Sequence, residues 1–233
     1  IADDVVSRPR LYKLLEQGAS LTLVVAPAGY GKTTLVAGWL ATCREPATWV
    51  TFDAEVNTLH HFLTIVLTAL AASLPQDANA ALQELLGVRT LPLLDVIVEI
   101  LHQELSMIEQ EFFLVLDDFQ AVTAPEAHAL LAELLRLPAT PLRLIIATRH
   151  DPPLPLVRLR AGGRLTEIRS RDLSFTAAEA QQFLEGSLDA PPTAQEFDDL
   201  VRGTEVLATS LRLAHLYLRQ EQGFASLAHA IEV

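Results

Sequence analysis

An apolar run that stops at a glycine-containing loop and resumes as a helix constrains this chain most. The run "LTLVV" at 21–25 is followed by "APAGYGKTT" at 26–34, and "KTTLVAGWL" continues as an amphipathic segment. A strand that turns into a helix through such a loop leaves backbone N–H groups directed at a ligand. We therefore expect a buried strand, an anion-binding loop and a helix, in that order.

The loop contains the groups that hold a polyphosphate. Gly29 and Gly31 let the backbone wrap an anion, Lys32 supplies a charge for the β- and γ-phosphates, and Thr33 offers a hydroxyl to Mg²⁺. The usual pattern begins with glycine where this chain has Ala26, so the first turn must tolerate a Cβ. A strand-helix turn without a ligand is the alternative. The predicted nucleotide contacts in this loop are Ala28, Gly29, Tyr30, Gly31, Lys32, Thr33 and Thr34.

Four further segments are predicted to form strands, which makes five with the first apolar run. Four of the five are rich in Val, Ile, Leu, Phe or Thr with little alternation, which predicts burial on both faces, and helical patterns lie between them. An α/β fold with a parallel sheet and flanking helices is therefore expected over 1–173, followed by a small all-helical domain over 174–233. The predicted strands are 21–26, 47–52, 112–117, 142–148 and 165–169.

Two helices are predicted in more detail. The segment 92–109 places Leu93, Ile97 and Leu101 on one apolar side. "PEAHALLAELLRL" forms a second apolar stripe, and Thr123 and Glu126 have capping-box spacing ahead of it. The same spacing recurs at Thr176/Glu179 and at Thr193/Glu196, ahead of later helices.

Polar residues end two of the predicted strands. "EFFLVLDDF" ends in Asp117 and Asp118, which would be costly beside a buried strand unless a cation or water receives them. We assign Asp117 to Mg²⁺ and Asp118 to the attacking water. Arg149 follows the strand 142–148 and is placed to read the γ-phosphate. The alternatives are a helix N-terminal acidic pair and a surface salt bridge.

Charge and composition exclude other classes. The net charge of −12 disfavours direct nucleic-acid binding by this chain, although arginines cluster at 143–171, where a solvated face is the simpler interpretation. No apolar stretch is long enough for a membrane span. The first residues lack the features of a secretory signal and are interpreted as a fragment boundary, and a single Cys43 agrees with a reducing compartment, so a cytoplasmic location is expected.

These motifs together resemble the nucleotide-binding module of the STAND ATPases, in particular of MalT-like regulators in the large ATP-binding LuxR group. The resemblance covers nearly the whole chain, and only the combination of motifs is specific. One departure is "TEVLATSL" at 204–211, where the family commonly has a Gly-Trp pair and a later Gly. The matching motifs are "RPRL", "APAGYGKTTL", the Asp53/Asn57 region, "LVLDDF", "ATRHDPPLPLVRLRAGG" and "RDLSFTAAEA".

The resemblance implies a signalling switch. Val6, Arg8 and Pro9 would lie near the adenine, Lys32 and Thr33 on the phosphates and Mg²⁺. ADP would hold a closed form, and ATP with an inducer would favour a form that self-associates and activates transcription until slow hydrolysis resets it. The family places a winged-helix domain, a repeat-built sensor and a DNA-binding domain downstream.

Other functions fit the same phosphate-binding loop. An oligomeric AAA+-type remodelling ATPase would need an arginine presented to a neighbouring subunit, for which Arg158, Arg160 and Arg164 are candidates. A small-molecule kinase and a structural loop that binds nucleotide without hydrolysis are the remaining alternatives. The rate of turnover separates these hypotheses.

Overall fold

The predicted strands all form. The computed structural model describes residues 6–73, 80–88, 90–138 and 140–185. In that part of the chain five strands make one sheet in the order β2-β3-β4-β1-β5, and the pairs β2/β3, β3/β4 and β1/β4 are parallel. The α/β prediction is confirmed. The strands are β1 (Leu21–Val25), β2 (Ala47–Thr51), β3 (Phe112–Asp117), β4 (Leu142–Thr148) and β5 (Leu165–Arg169).

Helices follow or precede each strand, and a 3₁₀ turn, Phe119–Ala121, follows β3. The helices are α1 (Pro9–Leu15), α2 (Lys32–Leu40), α3 (Leu59–Ser73), α4 (Ala80–Gly87), α5 (Leu94–Ser106), α6 (Pro125–Arg136), α7 (Leu156–Ala161), α8 (Ser170–Leu173) and α9 (Ala177–Glu185). None of the described helices is long and apolar enough to cross a membrane.

Burial differs between inner and outer strands. Every residue of β1 and β3 is buried, and β4 is buried from Leu144 onward. The outer strands β2 and β5 instead alternate between more and less buried positions. The expectation of burial on both faces therefore fails for β2, because an edge strand has a neighbour on one side only and its ends reach solvent.

Two local predictions are wrong. Thr123 does not cap α6: Pro125 takes the first helical position, Ala124 is the N-cap, and the Thr123 hydroxyl donates to Glu55 Oε1 at 3.0 Å. Leu93 does not pack with Ile97 and Leu101, since it precedes α5 and is 75% exposed. The Thr176/Glu179 capping box is confirmed and is described below.

The described chain divides into two compact units. The sheet unit comprises 14–25 and 42–167, and its apolar core joins inner-strand residues to buried residues of α3, α5 and α6. The loop unit comprises 6–13, 26–41 and 168–185 among the described residues. The helical domain predicted over 174–233, with the Thr193/Glu196 pair and the 204–211 departure, lies outside the described residues beyond 185, so its boundary near 173 stays a prediction.

Candidate functional site

The loop unit contains the predicted phosphate-binding loop, which starts at the residue after β1. Gly29 and Gly31 have φ of 86° and 77°, in the left-handed region that residues with a Cβ rarely adopt, and Gly31 is the N-cap of α2. Among the described residues Asp118 is the single non-glycine residue with positive φ, so Ala26 has a backbone conformation that a residue with a Cβ adopts readily. The departure at Ala26 is therefore compatible with the loop.

Lys32 is held inside this loop. Lys32 is only 7% exposed. Its Nζ donates to the carbonyl oxygens of Ala26 at 2.8 Å and Pro27 at 3.0 Å. The first turn of α2 contains no acidic residue to offset the positive end of the helix. A buried ammonium and a helix N-terminus together favour an anion here.

The loop unit also contains the other residues that the sequence predicts to contact a nucleotide. Ala28, Thr33 and Thr34 are exposed, and Tyr30 is half-buried. Val6 is half-buried, and Pro9 is exposed as the first residue of α1. Their roles toward a nucleotide stay predictions.

The sheet unit contains the predicted acidic pair. Asp117 ends β3 and is 2% exposed, and its Oδ1 accepts a hydrogen bond from the Asp118 backbone N–H at 3.0 Å. Asp118 has φ of 52°. This left-handed conformation is energetically unfavourable for a residue with a Cβ, and it recurs at functional sites. The turn therefore fixes two carboxyl groups in different environments at the carboxyl end of the strand.

Gln120 joins Asp118 to the strand end that contains Arg149. Gln120 Nε2 donates to Asp118 Oδ1 at 2.7 Å, and Gln120 Oε1 accepts from the Arg149 backbone N–H at 3.2 Å. Thr148, at the end of β4, is fully buried and donates its hydroxyl to the His150 carbonyl at 3.1 Å. The structure thus brings Asp117, Asp118 and Arg149 to one edge of the sheet, with the Arg149 side chain exposed.

Sequence reasoning missed Gln120. The only sequence feature that could have indicated its role is an amide two residues after the acidic pair. The contact with Arg149 joins residues 29 positions apart in the chain. No group of three or more His, Cys, Asp or Glu side chains within the described ranges could hold a metal. A Mg²⁺ ion at Asp117 would then take most of its other ligands from phosphate oxygens and water, as magnesium sites beside nucleotides commonly do.

Arg8 makes contacts that the sequence did not predict. Its guanidinium donates to the carbonyls of Leu173 and Ser174 at 2.7 and 2.8 Å and to Glu179 at 3.1 Å, and it lies 4.5 Å from the Phe175 ring centroid. Burial lowers the pKa of Arg8, and the bond to Glu179 opposes this. The side chain of Arg8 is thus engaged within the loop unit, and its place near an adenine stays a prediction.

Glu179 is the centre of this cluster. It accepts from Arg8 and Arg10, and it forms the predicted capping box with Thr176, whose N–H donates to Glu179 at 2.8 Å. Burial acts to raise the pKa of Glu179, but hydrogen bonds from Arg10, Thr176 and Arg8 outweigh it and leave the pKa below its ordinary value of 4.5. The folded chain therefore favours the carboxylate form.

Glu179→Gln is expected to lower the free energy of unfolding by about 2 kcal/mol at pH 7, the scale of losing charge-assisted hydrogen bonds. Because the folded pKa is depressed, this stabilisation is complete above the unfolded pKa near 4.5 and is lost as pH falls through the folded value. Urea unfolding of both proteins from pH 7 to pH 3 measures the difference. Glu133→Gln, in an exposed pair with Arg136, is the control and should change stability by less than about 1 kcal/mol. An equal loss for Glu179→Gln at every pH would contradict the charge argument.

A family model described as "AAA ATPase domain" matches residues 9–147. The HTH-type transcriptional regulators MalT of Serratia proteamaculans and Cronobacter sakazakii are 34% and 32% identical over 225 residues, 95% of this chain in both cases. This chain spans 25% and 24% of their lengths. The resemblance to MalT-like regulators stated from the motifs is confirmed.

Solved structures share the fold at low identity. The Walker-type ATPase of Pyrococcus abyssi has a TM-score of 0.63 and 17% identity, covering 99% of this chain and 72% of its own. A STAND protein with a tetratricopeptide repeat sensor from Pyrococcus horikoshii also has a TM-score of 0.63 and 17% identity, covering 89% of this chain and 29% of its own. At this identity, both likenesses show a shared fold.

Proposed function

Since the chain belongs to the AAA ATPase domain family, we propose that it is the ATP- and ADP-binding switch module of a transcriptional activator. The observation that carries this proposal is the loop 26–31, whose two left-handed glycines open α2 beside the buried ammonium of Lys32. A polyphosphate is the anion that this combination suits best. The MalT regulators that match over 95% of the chain support the transcriptional role.

We assign the parts of the site by their chemistry. Lys32 would hold the β- and γ-phosphates, and Thr33 with Asp117 would hold Mg²⁺. The ion, when bound, would neutralise charge that develops on the phosphates. Asp118 would orient or deprotonate the attacking water, and Gln120 positions its carboxylate by the 2.7 Å hydrogen bond. Arg149 would contact the γ-phosphate and so distinguish ATP from ADP.

The proposed switch uses hydrolysis as a timer. Only a ligand that interacts differently with two states can shift their equilibrium, and the γ-phosphate is the group that differs between ATP and ADP. We propose that the ATP form self-associates and that slow hydrolysis restores the resting form. Because this chain spans about a quarter of the MalT regulators, sensor and DNA-binding functions would belong to further domains.

An AAA+-type remodelling ATPase is the second candidate, and one observation bears on it. Arg160 pairs with Glu167, and Arg164 donates to Ser20 and to the Leu137 carbonyl. Arg158 is exposed, and its guanidinium forms no hydrogen bond or ion pair with the described residues. It is therefore the best placed of the three arginines to reach a neighbouring subunit.

Saturating ATP or ADP with Mg²⁺ should raise the melting temperature of the chain. At a nucleotide concentration of about 100 times Kd the stabilisation is about 2.7 kcal/mol, which corresponds to roughly 5–10 °C for a chain of this size. Thermal unfolding with and without nucleotide measures it. An unchanged melting temperature with both nucleotides would refute nucleotide binding and with it the whole proposal.

Turnover then separates the two functions. A switch predicts that each chain hydrolyses ATP far more slowly than one molecule per second and that ATP, not ADP, increases the sedimenting mass. A motor predicts many turnovers per second, with a loss of activity in Arg158→Ala that grows as the protein associates. Fast turnover that does not depend on association would contradict both.

A further inference from the structure

The sheet unit contains an apolar cavity at the end of the sheet opposite Asp117 and Thr148. Its volume is about 70 Å³, and it lies among α3, α5, α6 and the amino-terminal parts of the strands, where Ser20, Leu142 and Arg164 contribute to the lining. Most of the remaining wall consists of leucine side chains. The cavity is therefore separate from the edge where the acidic pair lies.

One side chain of the lining has an unsatisfied polar atom. His102, on α5, lines the cavity, and its Nε2 is buried without a hydrogen-bond partner in the described part of the chain. A buried imidazole nitrogen without a partner is unfavourable, and such groups in folded proteins usually bind water or a ligand. The other polar side chains of the wall already take part in hydrogen bonds: Arg164 donates to Ser20 Oγ at 3.1 Å and to the Leu137 carbonyl at 3.2 Å, and Thr140 Oγ1 accepts from the Leu142 backbone N–H at 3.3 Å.

Ordered water fits this cavity poorly. The volume is several times the roughly 10–15 Å³ that one water needs, so several waters would have to share it. Each buried water needs two to four polar partners, which leucine walls do not supply. An apolar molecule with one polar group matches the wall better, because its body contacts leucines while its polar group reaches His102.

We propose that this cavity binds one small neutral aromatic molecule with a hydroxyl group, that is, a simple phenol. A hydroxyl can donate or accept, so it satisfies Nε2 in either tautomer of His102. Charged ligands are disfavoured because an ion would lose its hydration against a mostly leucine wall, and the guanidinium of Arg164 already donates to Ser20 and to the Leu137 carbonyl. A single ring is the largest body that this volume admits, because a leucine-lined cavity that binds benzene has about 150 Å³, roughly twice the volume of this one.

The test compares two probes that differ in one hydroxyl. The 233-residue chain is titrated with 4-fluorophenol and with fluorobenzene, and binding is followed by fluorine NMR. A cavity without a polar partner rejects the phenol, because the hydroxyl would lose its hydrogen bonds to water. We expect the opposite, with 4-fluorophenol bound about tenfold more tightly than fluorobenzene, the scale of one buried hydrogen bond.

Three variants connect the preference to the cavity. His102→Leu should weaken 4-fluorophenol about tenfold and leave fluorobenzene binding within about twofold, which also shows that the cavity persists. His102→Gln, which keeps a donor and an acceptor, should retain the preference for the phenol. Val66→Phe fills the cavity and should abolish binding of both probes.

Several results would overturn the proposal. They are a preference of the natural chain for fluorobenzene, binding of neither probe, or phenol binding that survives Val66→Phe. Tighter binding of fluorobenzoate than of 4-fluorophenol would also do so, because it would place recognition at Arg164. The same titrations on Lys32→Ala should be unchanged, so the outcome does not depend on nucleotide binding.

Discussion

Lys32→Ala is expected to weaken both ATP and ADP binding about a thousandfold. The ammonium of Lys32 is buried in the loop, 2.8 and 3.0 Å from the carbonyl oxygens of Ala26 and Pro27, and a bound polyphosphate would replace or join these contacts. Losing two charge-assisted hydrogen bonds of about 2 kcal/mol each corresponds to roughly three orders of magnitude in affinity. Isothermal calorimetry with Mg²⁺ and each nucleotide measures the change.

The chain offers a matched control, because its only other lysine is Lys13. Lys13 is exposed in the last turn of α1, so Lys13→Ala removes the same charge from the same unit and should leave both affinities within about twofold. The melting temperature without nucleotide shows whether the loop survives the loss of the Ala26 and Pro27 contacts. Affinities for Lys32→Ala within about threefold of the natural chain would remove Lys32 from the phosphate site.

The strands were predictable because their boundaries are local. The predicted segments 112–117, 142–148 and 165–169 coincide with the observed strands, whereas 21–26 and 47–52 each extend one residue beyond the observed ends at Val25 and Thr51. Apolar runs between turn residues determine these boundaries without reference to distant contacts. The glycine loop was predictable for the same reason, since positive φ at Gly29 and Gly31 is a property of glycine itself.

The contacts of the site were harder to predict, because the sequence gives no direct measure of distance between remote residues. The Arg8 guanidinium donates to carbonyls 165 and 166 residues away, and no local pattern in the sequence indicates these contacts. Thr123 had capping-box spacing, but the bridge between Val56 and Val122 and the proline at 125 determine where α6 begins. His102 has the spacing of an ordinary helix residue. The cavity that it lines depends on how the helices pack, which the sequence pattern does not indicate.

Asp118→Asn is expected to leave nucleotide binding within about threefold and to slow hydrolysis about a thousandfold, within the usual range for losing a general base or its charge. Asparagine tolerates the left-handed conformation that Asp118 adopts at φ 52°, and its side-chain oxygen still accepts from Gln120 Nε2. The substitution therefore removes the charge and keeps the geometry. Single-turnover hydrolysis under saturating ATP and Mg²⁺ measures the chemical step.

Asp117→Asn is the natural comparison, because the two carboxyl groups are adjacent but differ in environment. Asp117 is 2% exposed at the end of β3, whereas Asp118 is half-buried in the turn. If Asp117 holds Mg²⁺ and Asp118 the water, Asp117→Asn should raise the Mg²⁺ concentration needed for activity, and Asp118→Asn should not. Equal shifts in Mg²⁺ dependence would show that both act on the metal, and loss of nucleotide binding in Asp118→Asn would make Asp118 a structural residue of the turn.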